Sequence, residues 1–188
     1  EALYCYNQSL EISYEIGNRS GEATTLHMIG MVYQDKNRFD EALKIYKQGL
    51  EIAREIRDRV GMSSTLHQIG MVNQEINRFD EALKCYKQSL EIAREIGNRV
   101  RLSQTLHQIG RIYQLTDRFE EALSSYKQSL EINEEMGNMA GKARTLHNIG
   151  IVYQDTNRFE EALESYKQSL EIEKEVGDRE SEAKTLYT

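Results

Sequence analysis

The chain is 188 residues long, 39% hydrophobic and 29% charged, and it contains 12 glycines but neither proline nor tryptophan. The lack of proline argues against an α/β enzyme, a β-sandwich, a disordered tail or a collagen-like segment, and it favours helices joined by short turns. The net charge of −7 disfavours nucleic acid and membrane surfaces as partners. Two cysteines, Cys5 and Cys85, are too few for a secreted disulfide scaffold, so a cytoplasmic location is expected.

The chain repeats itself every 40 residues. A leading half-unit at 1–19 matches only the second half of a unit, four full units follow, and a short stub matches the start of another. The full repeats are about 20–59, 60–99, 100–139 and 140–179, and the partial repeat is 180–188. The sequence therefore predicts one array without a linker or a second domain, and its opening on Glu1 suggests a fragment of a longer protein.

Each full unit is predicted to form two helices. In the first of these helices, Leu26, Ile29 and Tyr33 recur at helical spacing on one face. The second helix continues the same rhythm for about four turns. Its apolar positions in the first unit are Phe39, Ala42, Leu43, Tyr46, Leu50 and Ala53.

The expected helix ends follow from residues that accept a left-handed backbone or cap a helix. The first helix of each unit should end at Asn37, Asn77, Asp117 and Asn157, and the second at Gly17, Gly97, Gly137 and Gly177. Arg57 replaces the glycine once, so that turn is expected to be strained. The expected N-caps are Asn18, Asp58, Asn98, Asn138 and Asp178.

Four further glycines, Gly30, Gly70, Gly110 and Gly150, lie in the middle of the first helices. A glycine there costs about 1 kcal/mol relative to alanine. Because all four units keep it, we expect it to allow a close approach of the second helix, opposite Ala42 and its counterparts.

The positions Leu26, Ile29, Gly30, Tyr33, Ala42 and Tyr46 resemble the signature of the tetratricopeptide repeat (TPR), and all four units carry the pattern except that Asn73 replaces the tyrosine. The unit is longer than the usual length of about 34 residues and lacks the usual closing proline. It is similar to the Leu-Gly-Asn type of adaptor and to TPR arrays of prokaryotic signalling proteins. The resemblance implies an all-α solenoid of antiparallel helix pairs in a right-handed superhelix, with the first helices on the concave face.

The four histidines, His27, His67, His107 and His147, occupy one position of the repeat. Packed helices stand about 10 Å apart, too far for equivalent histidines to share a metal ion. We therefore expect polar residues of the concave face, or else buried histidines bonded to the backbone, with no metal and no cofactor. No sequence motif of a hydrolase, a nucleotide-binding loop or a metalloprotease occurs, so the protein is not expected to be an enzyme.

Partner binding is expected on the side of each first helix opposite its packed stripe. Histidine and glutamine are constant there, as a common polar row would require, while the neighbouring positions vary; drift on an exposed face would produce the same variation. The candidate residues are His27, Met28, Met31, Gln34, His67, Gln68, Met71, Gln74, His107, Gln108, Arg111, Gln114, Arg144, His147, Asn148, Ile151 and Gln154.

A graded groove is the sharper hypothesis for this face. Methionines of the first two units would receive apolar side chains, because methionine adapts to varied partners. Arg111 and Arg144 would receive an acidic group. In long TPR adaptors, amides on this face bind the backbone of an extended peptide, and the resemblance assigns that role to Asn148.

The sequence leaves two functions open. The first is a non-enzymatic scaffold that binds a peptide or a partner protein along the concave face. The second is a structural or regulatory arm of a larger signalling protein that stacks end to end, because the half-unit and the stub leave apolar faces at both ends.

Overall fold

The computed structural model describes residues 2–187, and all ten of the elements in that range are helices. The terminal residues Glu1 and Thr188, which the predicted array includes, lie outside the described residues. The helices are α1 (Ala2–Glu15), α2 (Arg19–Asp35), α3 (Phe39–Glu55), α4 (Arg59–Glu75), α5 (Phe79–Glu95), α6 (Arg99–Leu115), α7 (Phe119–Glu135), α8 (Met139–Asp155), α9 (Phe159–Val176) and α10 (Arg179–Tyr187). Within the described range, none of them is long and apolar enough to cross a membrane.

The helix bounds repeat with the sequence. α2, α4, α6 and α8 are the first helices of the four full units, and α3, α5, α7 and α9 are their second helices. α1 is the second helix of the leading half-unit, and α10 begins the partial one. The predicted helix pair in each 40-residue unit is therefore confirmed.

Two compact units are present, residues 1–101 (unit 1) and residues 102–188 (unit 2). Within unit 1, α2 packs on α3 and α4 on α5; within unit 2, α7 packs on α8 and α8 on α9. The repeat boundaries proposed for a single array stay a prediction.

The predicted helix ends are confirmed. Every residue expected at the end of a first helix has a positive φ, between 56° at Asn37 and 59° at Asn157. The four glycines that follow a second helix have φ between 65° and 76°. Arg57 is held at φ 57°, a conformation that costs a non-glycine residue about 1–2 kcal/mol.

The predicted N-caps also form. Asn18 Oδ1 and Asp58 Oδ1 each accept a hydrogen bond from a backbone N–H three residues later, at 2.9 Å. Asn98, Asn138 and Asp178 do the same, at 3.0–3.1 Å. Each cap satisfies one of the N–H groups that a helix leaves unpaired at its start.

The close approach at the mid-helix glycines differs from the expectation in one respect. A Cβ added at Gly30 would lie 2.5 Å from Cε1 of Tyr46, and one added at Gly70 would lie 2.5 Å from Cε1 of Tyr86. The tyrosine ring, rather than Ala42 or its counterpart, therefore occupies the space that glycine leaves. The reason is reach, because the tyrosine ring extends to the neighbouring backbone and the alanine methyl does not.

The core of each unit combines these tyrosines with aliphatic residues. In unit 1, Tyr46 is fully buried and lies in a cluster with Leu50, Leu66 and Val72. Buried serines supply a polar counterpart: Ser89 Oγ donates to the Ser63 carbonyl at 2.7 Å, and Ser129 Oγ donates to the Ser103 carbonyl at 2.9 Å. These serines repeat along the chain because they join the second helix of a unit to its first.

Candidate functional site

The predicted partner-binding residues lie on the first helices, but the structure divides them by burial. Buried are His67, Gln74, His107 and His147, and exposed are Arg111, Arg144 and Gln154. Half-buried are His27, Met28, Met31, Gln34, Gln68, Met71, Gln108, Gln114, Asn148 and Ile151.

His27, His107 and His147 each bond to a threonine side chain of the following repeat. In unit 1, His27 Nδ1 lies 3.0 Å from Thr65 Oγ1. In unit 2, His147 Nδ1 lies 3.0 Å from Thr185 Oγ1, and His107 Nδ1 lies 3.4 Å from Thr145 Oγ1. His67, His107 and His147 are buried, as the second alternative expected, but the partner of His107 and of His147 is a threonine hydroxyl and not the backbone. A role of the histidines in partner binding stays a prediction.

The constant glutamine bonds to the tyrosine that packs on the glycine. Tyr46 donates its hydroxyl to Gln34 Oε1 at 3.0 Å, and Tyr126 donates to Gln114 Oε1 at 3.1 Å. The remaining pairs are Tyr86 with Gln74 at 3.1 Å and Tyr166 with Gln154 at 2.7 Å.

Histidine completes this arrangement, because its ring packs on the same tyrosine. The ring centroids of His27 and Tyr46 are 5.5 Å apart, and those of His107 and Tyr126 are 5.3 Å apart. We call the glycine, histidine, glutamine and tyrosine of one repeat the tyrosine quartet; its four members are Gly30, His27, Gln34 and Tyr46 in the first full repeat. The quartet explains why histidine and glutamine are constant without any reference to a ligand.

Burial keeps the histidines neutral. It lowers the pKa of His107 to about 3, with Arg144 and Arg111 adding to the effect. In the same way, burial and then Arg101 lower the pKa of His67 to about 3. The tyrosine side of the quartet shifts in the opposite direction, because burial raises the pKa of Tyr126 well above its usual value.

A neutral His107 fits a continuous set of hydrogen bonds in unit 2. Asn148 Nδ2 lies 3.0 Å from His107 Nε2, so Nε2 accepts and Nδ1–H donates to Thr145 Oγ1. Thr145 in turn donates its hydroxyl to the Gly141 carbonyl at 2.8 Å. One N–H of Asn148 is thus engaged inside the protein, which leaves its Oδ1 and its second N–H for a ligand.

Variable positions carry the remaining chemistry of unit 1. Met31 packs against the hydrophobic core cluster of unit 1, while Met28 and Met71 are half-buried outside that cluster.

Arg101 was not predicted from the sequence. Its Nη2 donates to Ser64 Oγ at 3.3 Å, and its Nε is buried without a partner. The signal was its place in the repeat, because glycine stands at the same position in three other repeats, at Gly21, Gly61 and Gly141.

A cavity of about 520 Å³ lies in unit 2. Arg111 and Arg144 line it beside Asn148 and Ile151, so the structure brings together the variable residues predicted in these two repeats, except Gln108. In the described part of the chain neither arginine forms an ion pair. Gln154 lies elsewhere, in an apolar pocket with Phe159 and Leu163.

Glu173 also lines this cavity, and the sequence analysis did not select it. The residue is buried, with only 3% exposure, and one of its carboxylate oxygens has no hydrogen-bond partner. The corresponding residues of earlier repeats are Ala53, Ala93 and Asn133, so the departure from the repeat was visible in the sequence. Between residues 2 and 187, no three His, Cys, Asp or Glu side chains group closely enough to hold a metal ion.

Comparison with known families decides what kind of array this is. The family described as "Tetratricopeptide repeat" matches residues 1–55, 61–135 and 140–188, nearly the whole chain. The chain belongs to the tetratricopeptide-repeat family. A comparison with curated proteins finds no match.

Solved structures with the same TPR fold share little sequence with this chain. BtubC (BKLC) from P. vanneervenii aligns over 97% of this chain and 85% of its own, with 18% identity and a TM-score of 0.73. Aspartyl phosphate phosphatase F from Bacillus subtilis aligns over 98% and 51%, with 13% identity and a TM-score of 0.84. The apo form of RapI aligns over 96% and 52%, with 21% identity and a TM-score of 0.81.

This TPR chain spans about half the length of the last two proteins. At these identities the likeness shows the fold alone. TPR repeats generally serve as non-catalytic interaction scaffolds, and the function of this particular array has to be argued from its own residues.

Proposed function

We propose that this TPR protein is a non-enzymatic scaffold that binds a peptide or an extended segment of a partner protein through the face of its first helices, the face that the family resemblance assigns to the concave side. One observation carries the proposal: a cavity of about 520 Å³ in unit 2 is lined by variable residues of that face. They lie beside constant residues that are already bonded within the protein. A cavity of that size holds a few amino-acid side chains.

The two arginines of the cavity favour an acidic ligand group. Arg111 and Arg144 have no carboxylate partner within the described residues, and a guanidinium binds a carboxylate through two parallel hydrogen bonds. Asn148 supports an extended peptide, since its Oδ1 can accept from a peptide N–H. In unit 1, Met28 and Met71 would contact apolar side chains of the ligand.

The proposal includes the absence of an enzymatic activity and of a cofactor, together with a cytoplasmic location and no nucleic acid or membrane partner. Its supports are the family, the acidic net charge and the two cysteines, both of which are free thiols.

A displayed library of random peptides tests the proposal. We expect selection on the protein to enrich peptides with Asp or Glu. Binding of a selected peptide should weaken at least tenfold in Arg111→Glu and in Arg144→Glu, because each change replaces attraction by repulsion. Lys127→Glu, an exposed change on α7, makes the same change of net charge and should leave binding intact. No enrichment, or equal losses in all three variants, would contradict the proposal.

A second candidate function, association of copies end to end, is favoured by an apolar pocket of about 410 Å³ in unit 2. Phe159, Leu163 and Leu186 line it and are each more than half exposed. In the preceding repeats the equivalents of Leu163 are buried, at Leu43, Leu83 and Leu123. We expect light scattering to show a mass that rises with concentration and returns to that of a monomer in Leu163→Glu, with Val100→Glu as the control. A constant monomer mass would rule this function out.

A further inference from the structure

Glu173 holds a buried carboxylate that is only half satisfied. Its Oε1 accepts hydrogen bonds from Ser169 Oγ at 2.9 Å and from Thr185 Oγ1 at 3.0 Å. Its Oε2 is buried and has no partner. An ionised carboxylate oxygen can only accept, so this atom lacks a donor, and leaving a buried charged group unpaired is costly.

The preceding repeat shows how the same place is satisfied within the protein. There Asn133 Oδ1 accepts from Ser103 Oγ at 2.9 Å and from Asn138 Nδ2 at 2.8 Å. The residues equivalent to these two donors are Ala143 and Asp178. Ala143 has only a methyl group and Asp178 has a carboxylate, so neither side chain can donate a hydrogen bond to Glu173. The last full repeat therefore has a carboxylate in place of the amide, and it lacks the two donors that the amide oxygen uses. Ser169 and Thr185 donate to Glu173 Oε1, and Oε2 is left without a donor.

The unpaired oxygen belongs to a residue that borders two cavities. One is the cavity of about 520 Å³, and the other is a small space of about 30 Å³. Both are lined by Arg144, Glu173, Asp178 and Ser181. A space of 30 Å³ holds one water molecule or a group of similar size.

We propose that this place binds a primary ammonium group of the ligand, held by Glu173 and Asp178, while Arg111 and Arg144 bind a carboxylate of the same ligand. The inference rests on the proposed function and names the class of its ligand: a peptide that carries an amino group close to an acidic side chain. The amino group comes either from a free peptide N-terminus or from a lysine side chain.

An ammonium group suits the site better than a metal ion does. An ammonium group has three hydrogen-bond donors and one positive charge. It can therefore donate both to the unpaired oxygen of Glu173 and to the exposed carboxylate of Asp178. A calcium ion takes about six to eight oxygen ligands, and the described residues contain no cluster of three acidic or metal-binding side chains. A bound water is the simpler occupant and is one outcome of the test.

Three amidated peptides serve as probes in calorimetric titrations of the full chain: Ala-Asp-Glu-Ala with a free amino terminus, the same peptide acetylated, and acetyl-Lys-Asp-Glu-Ala. We expect at least one of the two peptides with an ammonium group to bind at least tenfold more tightly than the acetylated peptide. A preference for the free amino terminus or for the lysine identifies the source of the ammonium.

The variants locate the effect. Glu173→Gln should reduce the ratio of affinities to about one, and Asp178→Asn, which retains an N-cap residue, should reduce it partly. Glu171→Gln is the matched control, since it removes the same charge from an exposed position of α9. Arg144→Gln should weaken all three peptides, because each contains the acidic pair. Circular dichroism establishes that each variant is folded.

Equal binding of the amino and acetyl peptides, or a ratio unchanged in folded Glu173→Gln and Asp178→Asn, would overturn the inference and leave water as the occupant. The scaffold function would still stand if binding depended on Arg144. Failure of all three peptides to bind would also overturn the inference, and the library selection would then decide the scaffold function separately.

Discussion

Unit 1 and unit 2 share the tyrosine quartet in each full repeat but depart from the repeat at different places. In unit 1 the departure is Arg101, a guanidinium whose Nε is buried without a partner. In unit 2 it is Glu173, a carboxylate whose Oε2 is buried without a partner. The constant positions of this protein therefore stabilise the helix pairs, and the exceptions carry unpaired charge.

The quartets also differ in how deeply their tyrosine is buried. Tyr86 in unit 1 is fully buried, whereas Tyr166 in unit 2 is half-buried beside the apolar pocket. Identical residues therefore have different energetic roles, depending on what covers them.

The largest expected effect of a single substitution is that of adding a methyl group beneath the tyrosine ring. A Cβ at Gly70 or at Gly150 would lie 2.5 Å from Cε1 of the facing tyrosine. In Gly70→Ala the buried ring cannot move, so we expect the free energy of unfolding to fall by about 2–3 kcal/mol, the upper range for overpacking a core. In Gly150→Ala the ring can shift toward the pocket, and we expect a loss below about 1 kcal/mol. Denaturant titrations measure both.

Equal losses in Gly70→Ala and Gly150→Ala would contradict this prediction, because burial of the ring would then not matter. A gain of stability in Gly70→Ala would show that helix propensity outweighs the steric conflict.

The next effect is the loss of stability in mild acid. The folded-state pKa of about 3 for His67 and for His107 lies below the ordinary value, so the unfolded chain binds more protons as the pH falls below about 6.5. The contribution of the two neutral histidines to the free energy of unfolding is therefore fully present above that pH. It is lost as the pH falls toward 3, by up to about 1.4 kcal/mol per pH unit for each histidine.

Urea titrations at pH 6 and pH 5 measure this slope. Because both histidines are buried, His67→Asn and His107→Asn should each reduce it by a similar amount. A slope reduced by only one of the two variants would reveal a difference between the units that burial does not explain.

A smaller effect is expected from removing the tyrosine hydroxyl. Tyr86→Phe leaves Gln74 buried without its donor, which should cost about 1–2 kcal/mol. Tyr166→Phe leaves the exposed Gln154 to bond with water, so we expect a loss of about 0.5 kcal/mol or less. Thermal unfolding of the two variants beside the wild type tests the difference, and equal shifts in Tm would contradict it.

The smallest expected effect is a change in the pKa of His27 when Arg101 is replaced. Burial and the charge of Arg101 lower the pKa of His27, so Arg101→Gly, which restores the glycine of the other repeats, should raise that pKa. An NMR titration of the imidazole signal records the change. Arg54→Gln is the control, since Arg54 is an exposed residue paired with Glu51. If the two variants gave the same titration curve, the assignment of Arg101 to this surface would be wrong.

Much of the fold was predictable because the chain repeats. Four copies of one pattern fixed the helix pairs, and Asn37 and Gly97 marked helix ends through a backbone conformation that few residues adopt. The close approach at Gly30 was also predictable, but its partner was not. The pattern placed glycine opposite a second helix without showing how far the ring of Tyr46 reaches.

The candidate site was less accessible to sequence reasoning. Constancy of histidine and glutamine suggested a binding surface, whereas the structure assigns both to the tyrosine quartet. Arg101 and Glu173 were not predicted because the candidate residues were chosen at positions on the first helices that recur in every repeat, whereas each of these two residues is a change in a single repeat. The cavity of unit 2 was foreseen only in part, through Arg111 and Arg144.

The amino-acid sequence by itself determined the repeat, the helix boundaries and the caps, because these depend on local spacing and on the backbone preferences of single residues. Only the tertiary structure decided which polar groups are satisfied, since hydrogen-bond partners come from neighbouring helices that are about 40 residues apart in the chain. The absence of proline, visible at once, indicated helices. The missing donor at Glu173 became visible only when Ala143 and Asp178 were seen beside it.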